Sequence, residues 1–190
     1  MSMSRIAGIF LVLPLLAALA GEPADDKVDN PMYLTWSAFK AGTWVRFSST
    51  TRMNGARTEL EITTRLVEIT PERAVLEIHI LPKAMPSGAG KPLIQTQIAA
   101  ARVDRTEVAQ RKKEKADAET VVGSGEEELS VGGQSIRCQR VETVARSGGS
   151  EIRSTIWSCD QVPGAMVRMR TTIEGGSDTM MQLIEMQVLK

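Results

Sequence analysis

The sequence predicts a mainly β protein: an antiparallel meander of about nine strands, forming an incomplete barrel or a strongly curved sheet, after one short N-terminal helix. Two hairpin signals carry this prediction, because each joins runs in which polar and apolar residues alternate. Their turns are Asn54-Gly55 and Gly148-Gly149, which accept the positive φ angles of tight hairpins. The other connections are mostly short, which favours antiparallel neighbours.

The beginning of the 190-residue chain is typical of an export signal. Arg5 precedes an apolar run over residues 6–19, and a small-x-small cleavage site ends at Ala20. A membrane anchor is the alternative, but about 14 apolar residues are short for a span. We therefore expect a signal peptide over 1–20 and a periplasmic or secreted mature chain. We expect that mature chain to have no transmembrane span and no lipid-anchor cysteine.

The length of the expected mature chain, about 170 residues, predicts a single domain. Lysine plus arginine and aspartate plus glutamate each number 23, so no net charge draws the protein to nucleic acid. We expect a disordered polar leader over 21–29 and one β domain over 30–190. A charged segment over 105–124 has no apolar face and is expected to be a solvated helix or a mobile loop. We also expect that residues 107–119 can be replaced by a short turn without loss of the fold.

The predicted helix follows the leader. Asn30 is a good N-cap, Pro31 suits the first helical position, and Gly42 can close the C-terminus. Its apolar face carries three residues at helical spacing: Met32, Trp36 and Phe39. Together with residues 44 and 47, this helix forms a local aromatic cluster. The cluster predicts either a ligand site or a plug that packs onto the β core.

The two hairpin turns also predict strand register. In the first hairpin, two residues are paired when their numbers sum to 109. This register places five apolar residues on one face: Val45, Phe47, Leu60, Ile62 and Leu66. In the second hairpin, Val141 faces Ile156 and Cys138 faces Cys159. Facing cysteines in an exported protein predict a disulfide between Cys138 and Cys159, and the alternative is two buried thiols.

Catalytic chemistry has little support in the sequence. His79 is the only histidine, and the strand pattern places it with Glu77 on the face opposite Leu76, Ile78 and Ile80. The glycine pairs are hairpin turns that precede no helix, so they form no phosphate-binding loop. We therefore predict no catalytic residues, no metal site and no cofactor, and we expect that the protein is not an enzyme.

Methionines crowd the last two predicted strands: Met166, Met169, Met180, Met181 and Met186. Methionine adapts to varied apolar partners, so these strands and the aromatic helix could line a pocket for a lipid or acyl chain. Core filling is the alternative. The candidate ligand-binding residues are Trp36, Phe39, Met166, Met180 and Met181.

The signal, the helix bearing Trp36 and Phe39, and the long meander together resemble the periplasmic lipoprotein carriers, a superfamily of Lol-type half-barrels. Residues 157–164 (Trp-Ser-Cys-Asp-Gln-Val-Pro-Gly) also resemble a segment of uncharacterised secreted bacterial proteins. The first resemblance implies an incomplete barrel whose concave apolar face holds lipid or acyl chains. We expect a non-catalytic envelope protein that binds an apolar ligand, a lipid or a lipidated protein. The alternative is an interaction module that recruits another envelope protein through an exposed strand edge.

Overall fold

The computed structural model describes residues 26–83 and 92–190. The predicted signal peptide and the first residues of the leader lie outside this part of the chain. The helices are α1 (Pro31–Ser37) and α2 (Arg105–Ala118). The strands are β1 (Lys27–Asp29), β2 (Trp44–Met53), β3 (Ala56–Ile69), β4 (Arg73–Pro82), β5 (Leu93–Ala100), β6 (Arg102–Asp104), β7 (Glu119–Val131), β8 (Gln134–Ser147), β9 (Ser150–Ser158), β10 (Met166–Ile173) and β11 (Ser177–Gln187).

Nine of these strands form one open antiparallel sheet, which confirms the predicted fold class. The strand order is β5-β4-β3-β2-β11-β10-β9-β8-β7, so β5 and β7 are the two edges. Two meanders therefore meet at the centre of the sheet, where β2 pairs with β11. The remaining strands, β1 and β6, pair with each other. The prediction of a disordered leader is thus wrong for Lys27–Asp29, because those residues have a strand partner in β6.

Both predicted hairpin registers are confirmed. The pairing of β2 with β3 runs without a shift from Met53 opposite Ala56 to Trp44 opposite Arg65. The pairing of β8 with β9 runs from Ser147 opposite Ser150 to Gln139 opposite Ser158. Because side chains alternate along a strand, these registers fix which residues share each face of the sheet.

The charged segment folds as α2 and the beginning of β7, which resolves the alternative between helix and loop. Asp104 caps α2, since its carboxylate accepts hydrogen bonds from the amides of Thr106 (2.7 Å) and Glu107 (3.4 Å). These bonds lower the pKa of Asp104. The segment joins β6, which follows the edge strand β5, to β7 at the opposite edge of the sheet. Our expectation that a short turn could replace residues 107–119 conflicts with this crossing.

Helix α1 begins as predicted and ends earlier than predicted. Asn30 is its N-cap and accepts a hydrogen bond from the Met32 amide at 3.1 Å. The helix ends at Ser37 with Ala38 as its C-cap, so the prediction that Gly42 closes it is wrong. Gly42 instead adopts φ +94° in the loop before β2, where its amide bonds to the carbonyl of Leu66 at 2.8 Å.

One buried cluster extends through both meanders. Its least exposed members include Leu66, Val167 and Leu183, each 0 % exposed. The other buried apolar residues of the cluster are Trp36, Phe39, Val45, Phe47, Ala74, Leu76, Ala99, Leu129, Val131, Cys138, Trp157 and Val162. Because the two meanders share this cluster, we treat the sheet and α1 as one packed unit.

The structure holds both cysteines as free thiols, so the expected disulfide is not present. Strand β9 ends at Ser158, and the amide of Cys159 bonds to the carbonyl of Ala165 at 2.7 Å. Cys159 has therefore left the β8–β9 ladder for the following corner, whereas Cys138 stays buried in β8. Burial, followed by the proximity of Cys159, raises the pKa of the Cys138 thiol.

Candidate functional site

An apolar groove of about 400 Å³ lies between α1 and one face of β2–β5. The sheet contributes Val45 and Phe47 from β2 and Leu76 and Ile78 from β4. The remaining lining residues are Pro31, Met32, Thr35, Trp36, Thr64, Gln97, Pro163, Gly164 and Met166. None of these described lining residues carries a charge, so the groove suits an uncharged, apolar occupant.

The corner between β9 and β10 fixes α1 over the sheet. The amide of Gly164 donates a 3.0 Å hydrogen bond to the carbonyl of Thr35 in α1. A Cβ atom on Gly164 would lie 3.2 Å from Cζ2 of Trp36, so glycine allows the corner to approach the indole closely. Val162, at 1 % exposure, anchors the corner in the core. This packing gives Val162 and Gly164, two residues of the segment 157–164, a structural role.

The structure brings together two of the five predicted ligand-binding residues. Trp36 and Met166 both line the groove. Phe39 is buried in the core at 4 % exposure and is not among the lining residues. Met181 lies on the same face of the sheet as the groove but further along it, opposite Ser49. Met180 lies on the other face, between Thr50 and Arg170.

The groove face continues across the second meander. A row of directly opposite residues crosses the sheet there: Ser49, Met181, Met169, Ile156 and Val141. Ile156 is 37 % exposed and Val141 is 38 % exposed, so this part of the face is open. It is an apolar surface, whereas the part below α1 is a groove.

A row of hydroxyl side chains borders this open surface. Along the next paired positions lie Thr51, Thr179, Thr171, Ser154 and Thr143. Two of the contacts are hydrogen bonds between side chains, Thr51 to Thr179 at 3.1 Å and Ser154 to Thr171 at 3.2 Å. Cross-strand hydroxyl pairs stabilise antiparallel sheets. Of this row, the predicted register of the second hairpin contained only the pair of Thr143 with Ser154. The other pairs join strands whose register was not predicted.

The other face of β2–β4 is polar, as the alternation predicted. A depression of about 550 Å³ lies there and includes Trp44, Arg46, Glu77 and His79. His79 Nε2 lies 2.7 Å from a carboxylate oxygen of Glu77, two residues away on the same strand. Among the residues that the structure describes, no group of three or more His, Cys, Asp or Glu side chains is placed to hold a metal ion.

Comparisons with known proteins show weak structural likeness. No family model matches the sequence, and no curated protein matches it. A proposed exported protein with a YmcC-like fold from Bacteroides fragilis aligns with a TM-score of 0.47 and 11% identity, over 78% of this chain and 97% of that one. A DUF1329 family protein from Desulfovibrio piger aligns with a TM-score of 0.27 and 8% identity, over 78% of this chain and 86% of that one. The structure of PNGF-II aligns with a TM-score of 0.31 and 9% identity, over 78% of this chain and 28% of that one.

These likenesses are similarities of fold, and they assign no activity to this chain. The resemblance to lipoprotein carriers is not shown by them and stays a prediction. Within residues 26–83 and 92–190, no helix is both long enough and apolar enough to cross a membrane.

Proposed function

We propose that this protein is a non-catalytic, exported binding protein of the cell envelope, and that the groove beneath α1 takes an acyl chain of a lipid or of a lipidated protein. The observation that carries the proposal is the uncharged lining of the groove, which combines Trp36 and Met166 with the apolar side chains of β2 and β4. Export is proposed from the signal-like segment at 1–20.

The size and position of the groove support this role. A volume of about 400 Å³ falls within the range of roughly 300–1,000 Å³ that is usual for small-molecule sites. The groove is bounded by α1 on one side and by a sheet face on the other, so a ligand chain could lie between two preformed walls. Met32, one of the lining residues, is 42 % exposed, so an apolar side chain of the groove is accessible from solvent.

A charge placed in the groove wall tests the proposal. Ile78→Glu puts a carboxylate among the lining side chains and should weaken uptake of a fluorescent fatty acid by tenfold or more, on the order of the cost of an unpaired buried charge. The matched control is Leu81→Glu, because Leu81 lies in the same strand, is 41 % exposed and lies on the other face. The control should bind like the wild-type protein.

Three results bear on the proposal. Loss of uptake in Ile78→Glu alone, with both variants folded by circular dichroism, supports binding in the groove. Equal loss in both variants, or no uptake by the wild-type protein, contradicts it. If Ile78→Glu fails to fold, the conservative variant Ile78→Thr replaces it, and undiminished uptake by Ile78→Thr would then count against the groove.

A second candidate function is an interaction module that acts through a strand edge. The observation that favours it is the uncharged sequence of β5 at one edge of the sheet. Edge strands with free backbone groups pair with other chains, so this feature identifies a different surface from the groove.

A further inference from the structure

The two edge strands of the sheet differ in how they are protected. β7 carries Glu119 at its first position and three glutamates at 126–128, and it has two interior glycines and a bulge between Val121 and Gly123. Charges and bulges of this kind prevent edge-to-edge pairing. β5 (Leu-Ile-Gln-Thr-Gln-Ile-Ala-Ala) has no charged residue, no proline and an unshifted register with β4. β5 therefore lacks the protection that β7 has.

The hydrogen bonds at the end of β5 show which backbone groups point away from the sheet. The amide of Ala101 donates towards β4, to the carbonyl of Glu72 at 2.6 Å. The carbonyl of Ala100 accepts instead from the side-chain amide of Asn30, at 2.7 Å. Because successive residues of an edge strand alternate in direction, the outward backbone groups of β5 belong to its even-numbered residues: Ile94, Thr96 and Ile98.

Five residues of β5 form a palindrome centred on Thr96. Residues 94–98 read Ile-Gln-Thr-Gln-Ile, the same in both directions. We propose that β5 pairs antiparallel with β5 of a second copy of this chain, about a two-fold axis at Thr96, so that two sheets join into one. In this register Thr96 faces Thr96, and Ile94 faces Ile98 of the partner copy. An isologous contact of this kind closes as a dimer.

The ends of the strand fit the same register. Pairing about Thr96 places Pro92 opposite Ala100 of the other copy. Proline has no amide hydrogen, and the Ala100 carbonyl already accepts from Asn30, so this pair leaves no acceptor unsatisfied. Between these ends, the outward groups of the even-numbered residues would form about six inter-chain hydrogen bonds.

The exposed side chains of β5 add an apolar contribution. Ile94 is 53 % exposed and Ile98 is 62 % exposed, and both lie on the face opposite the groove. In the proposed register each isoleucine contacts its counterpart across the axis, and cross-strand pairs of β-branched side chains stabilise antiparallel sheets. The partner that fits this edge is therefore a second copy of the chain.

A lysine in place of Thr96, at the proposed two-fold axis, tests the proposal. The measured quantity is the average molecular mass of the protein in solution. We expect sedimentation equilibrium of the wild-type chain to show a monomer–dimer equilibrium across a concentration series. Thr96→Lys places two like charges opposite each other and should raise the dimer dissociation constant about fivefold or more. The matched control is Thr120→Lys on the other edge strand, β7, which should leave the constant unchanged. A wild-type chain that stays monomeric at every concentration overturns the proposal.

A pair of charge variants tests the register itself. Ile94→Lys with Ile98→Lys brings like charges together in both cross-strand pairs and should abolish the dimer. Ile94→Lys with Ile98→Glu brings opposite charges together in the same pairs and should restore it. Equal dissociation constants for these two double variants contradict pairing about Thr96. Fatty-acid uptake by the monomeric variants is measured in parallel, so failure of the dimer and failure of the groove are separate results.

Discussion

The two meanders of the sheet present the same face to different surroundings. In the first (β2–β5), α1 covers that face, leaving Val45 at 1 % and Phe47 at 5 % exposure. In the second (β7–β11), the same face is buried next to β2, where Leu183 lies opposite Phe47. Further from β2 it is open, and Val141 and Ile156 are each more than a third exposed. The strands alternate in similar ways, so the difference arises from the short helix, which covers one meander.

This difference bears on the proposed binding function and on the stability of the two meanders. A covered face with a groove can hold a ligand between two walls, whereas an open face contributes less to folding because its side chains keep much of their contact with water. The meanders are joined in three ways: by the β2–β11 pairing, by the corner at Gly164 and by the chain crossing through α2. The crossing and the corner each give a way to test the comparison.

The largest effect is expected from shortening the crossing. Removing residues 110–118 should abolish cooperative unfolding, since β5 and β7 lie at opposite edges of the sheet and the shortened chain would have to span them. Replacing the same residues with a Gly/Ser segment of equal length should preserve the transition. Chemical denaturation distinguishes the two. A deletion variant as stable as the wild-type protein would contradict the claim that this segment must span from one edge of the sheet to the other.

The next prediction compares the loss of a covered side chain with the loss of an open one. Trp36→Ala should cost about 3–5 kcal/mol in unfolding free energy, because the indole is 4 % exposed and contacts the corner. Ile156→Ala should cost about 1 kcal/mol or less, since Ile156 is 37 % exposed. Urea denaturation of both variants measures the difference. Equal losses would show that the second meander is covered as well.

A smaller effect is expected at the corner that holds α1. Gly164→Ala should destabilise by about 1–3 kcal/mol, because alanine is strained at φ +76° and its methyl group would press on Trp36. Gly175→Ala is the matched control, with a similar φ of +68° and nothing within 4 Å of the added atom. The excess loss at Gly164, measured by thermal unfolding, reports the contact between corner and helix.

The two thiols should differ in their reactivity towards alkylating reagents. Cys159 is half-buried and Cys138 is buried with a raised pKa, so the Cys138 thiolate forms at higher pH than usual. At pH 8 an alkylating reagent should therefore modify Cys159 first, as mass spectrometry of digested protein would show. Unreduced, denatured protein with no modifiable thiol would contradict the free-thiol state and restore the predicted disulfide.

Much of the sheet could be predicted because its determinants are local. Asn54-Gly55 and Gly148-Gly149 fix their hairpins, and strict alternation then assigns each side chain to a face. The N-cap at Asn30 was equally local. The strand count of the large sheet followed from runs of this kind, which are bounded by turn residues.

The features that the sequence did not predict depend on contacts between distant parts of the chain. β1 exists because β6 pairs with it, which no pattern within the leader indicates. α1 ends at Ser37, and the Phe39 amide bonds to the Trp36 carbonyl at 3.0 Å, whereas Gly42 bonds to Leu66 at the entry to β2. For the candidate site, the aromatic cluster and the methionine-rich strands correctly pointed to two groove residues, Trp36 and Met166. The separation of Met180 from them required the register of β11 with β2, which joins strands far apart in the sequence.

The most direct test of the binding account is to locate a bound acyl chain by photo-crosslinking. The folded protein is incubated with a photoactivatable fatty acid, irradiated and digested, and the modified peptides are identified by mass spectrometry. We predict adducts on peptides that contain α1, β4 and the beginning of β10, the elements that line the groove. Adducts confined to the open face around Val141 and Ile156, or no adducts at all, would contradict it.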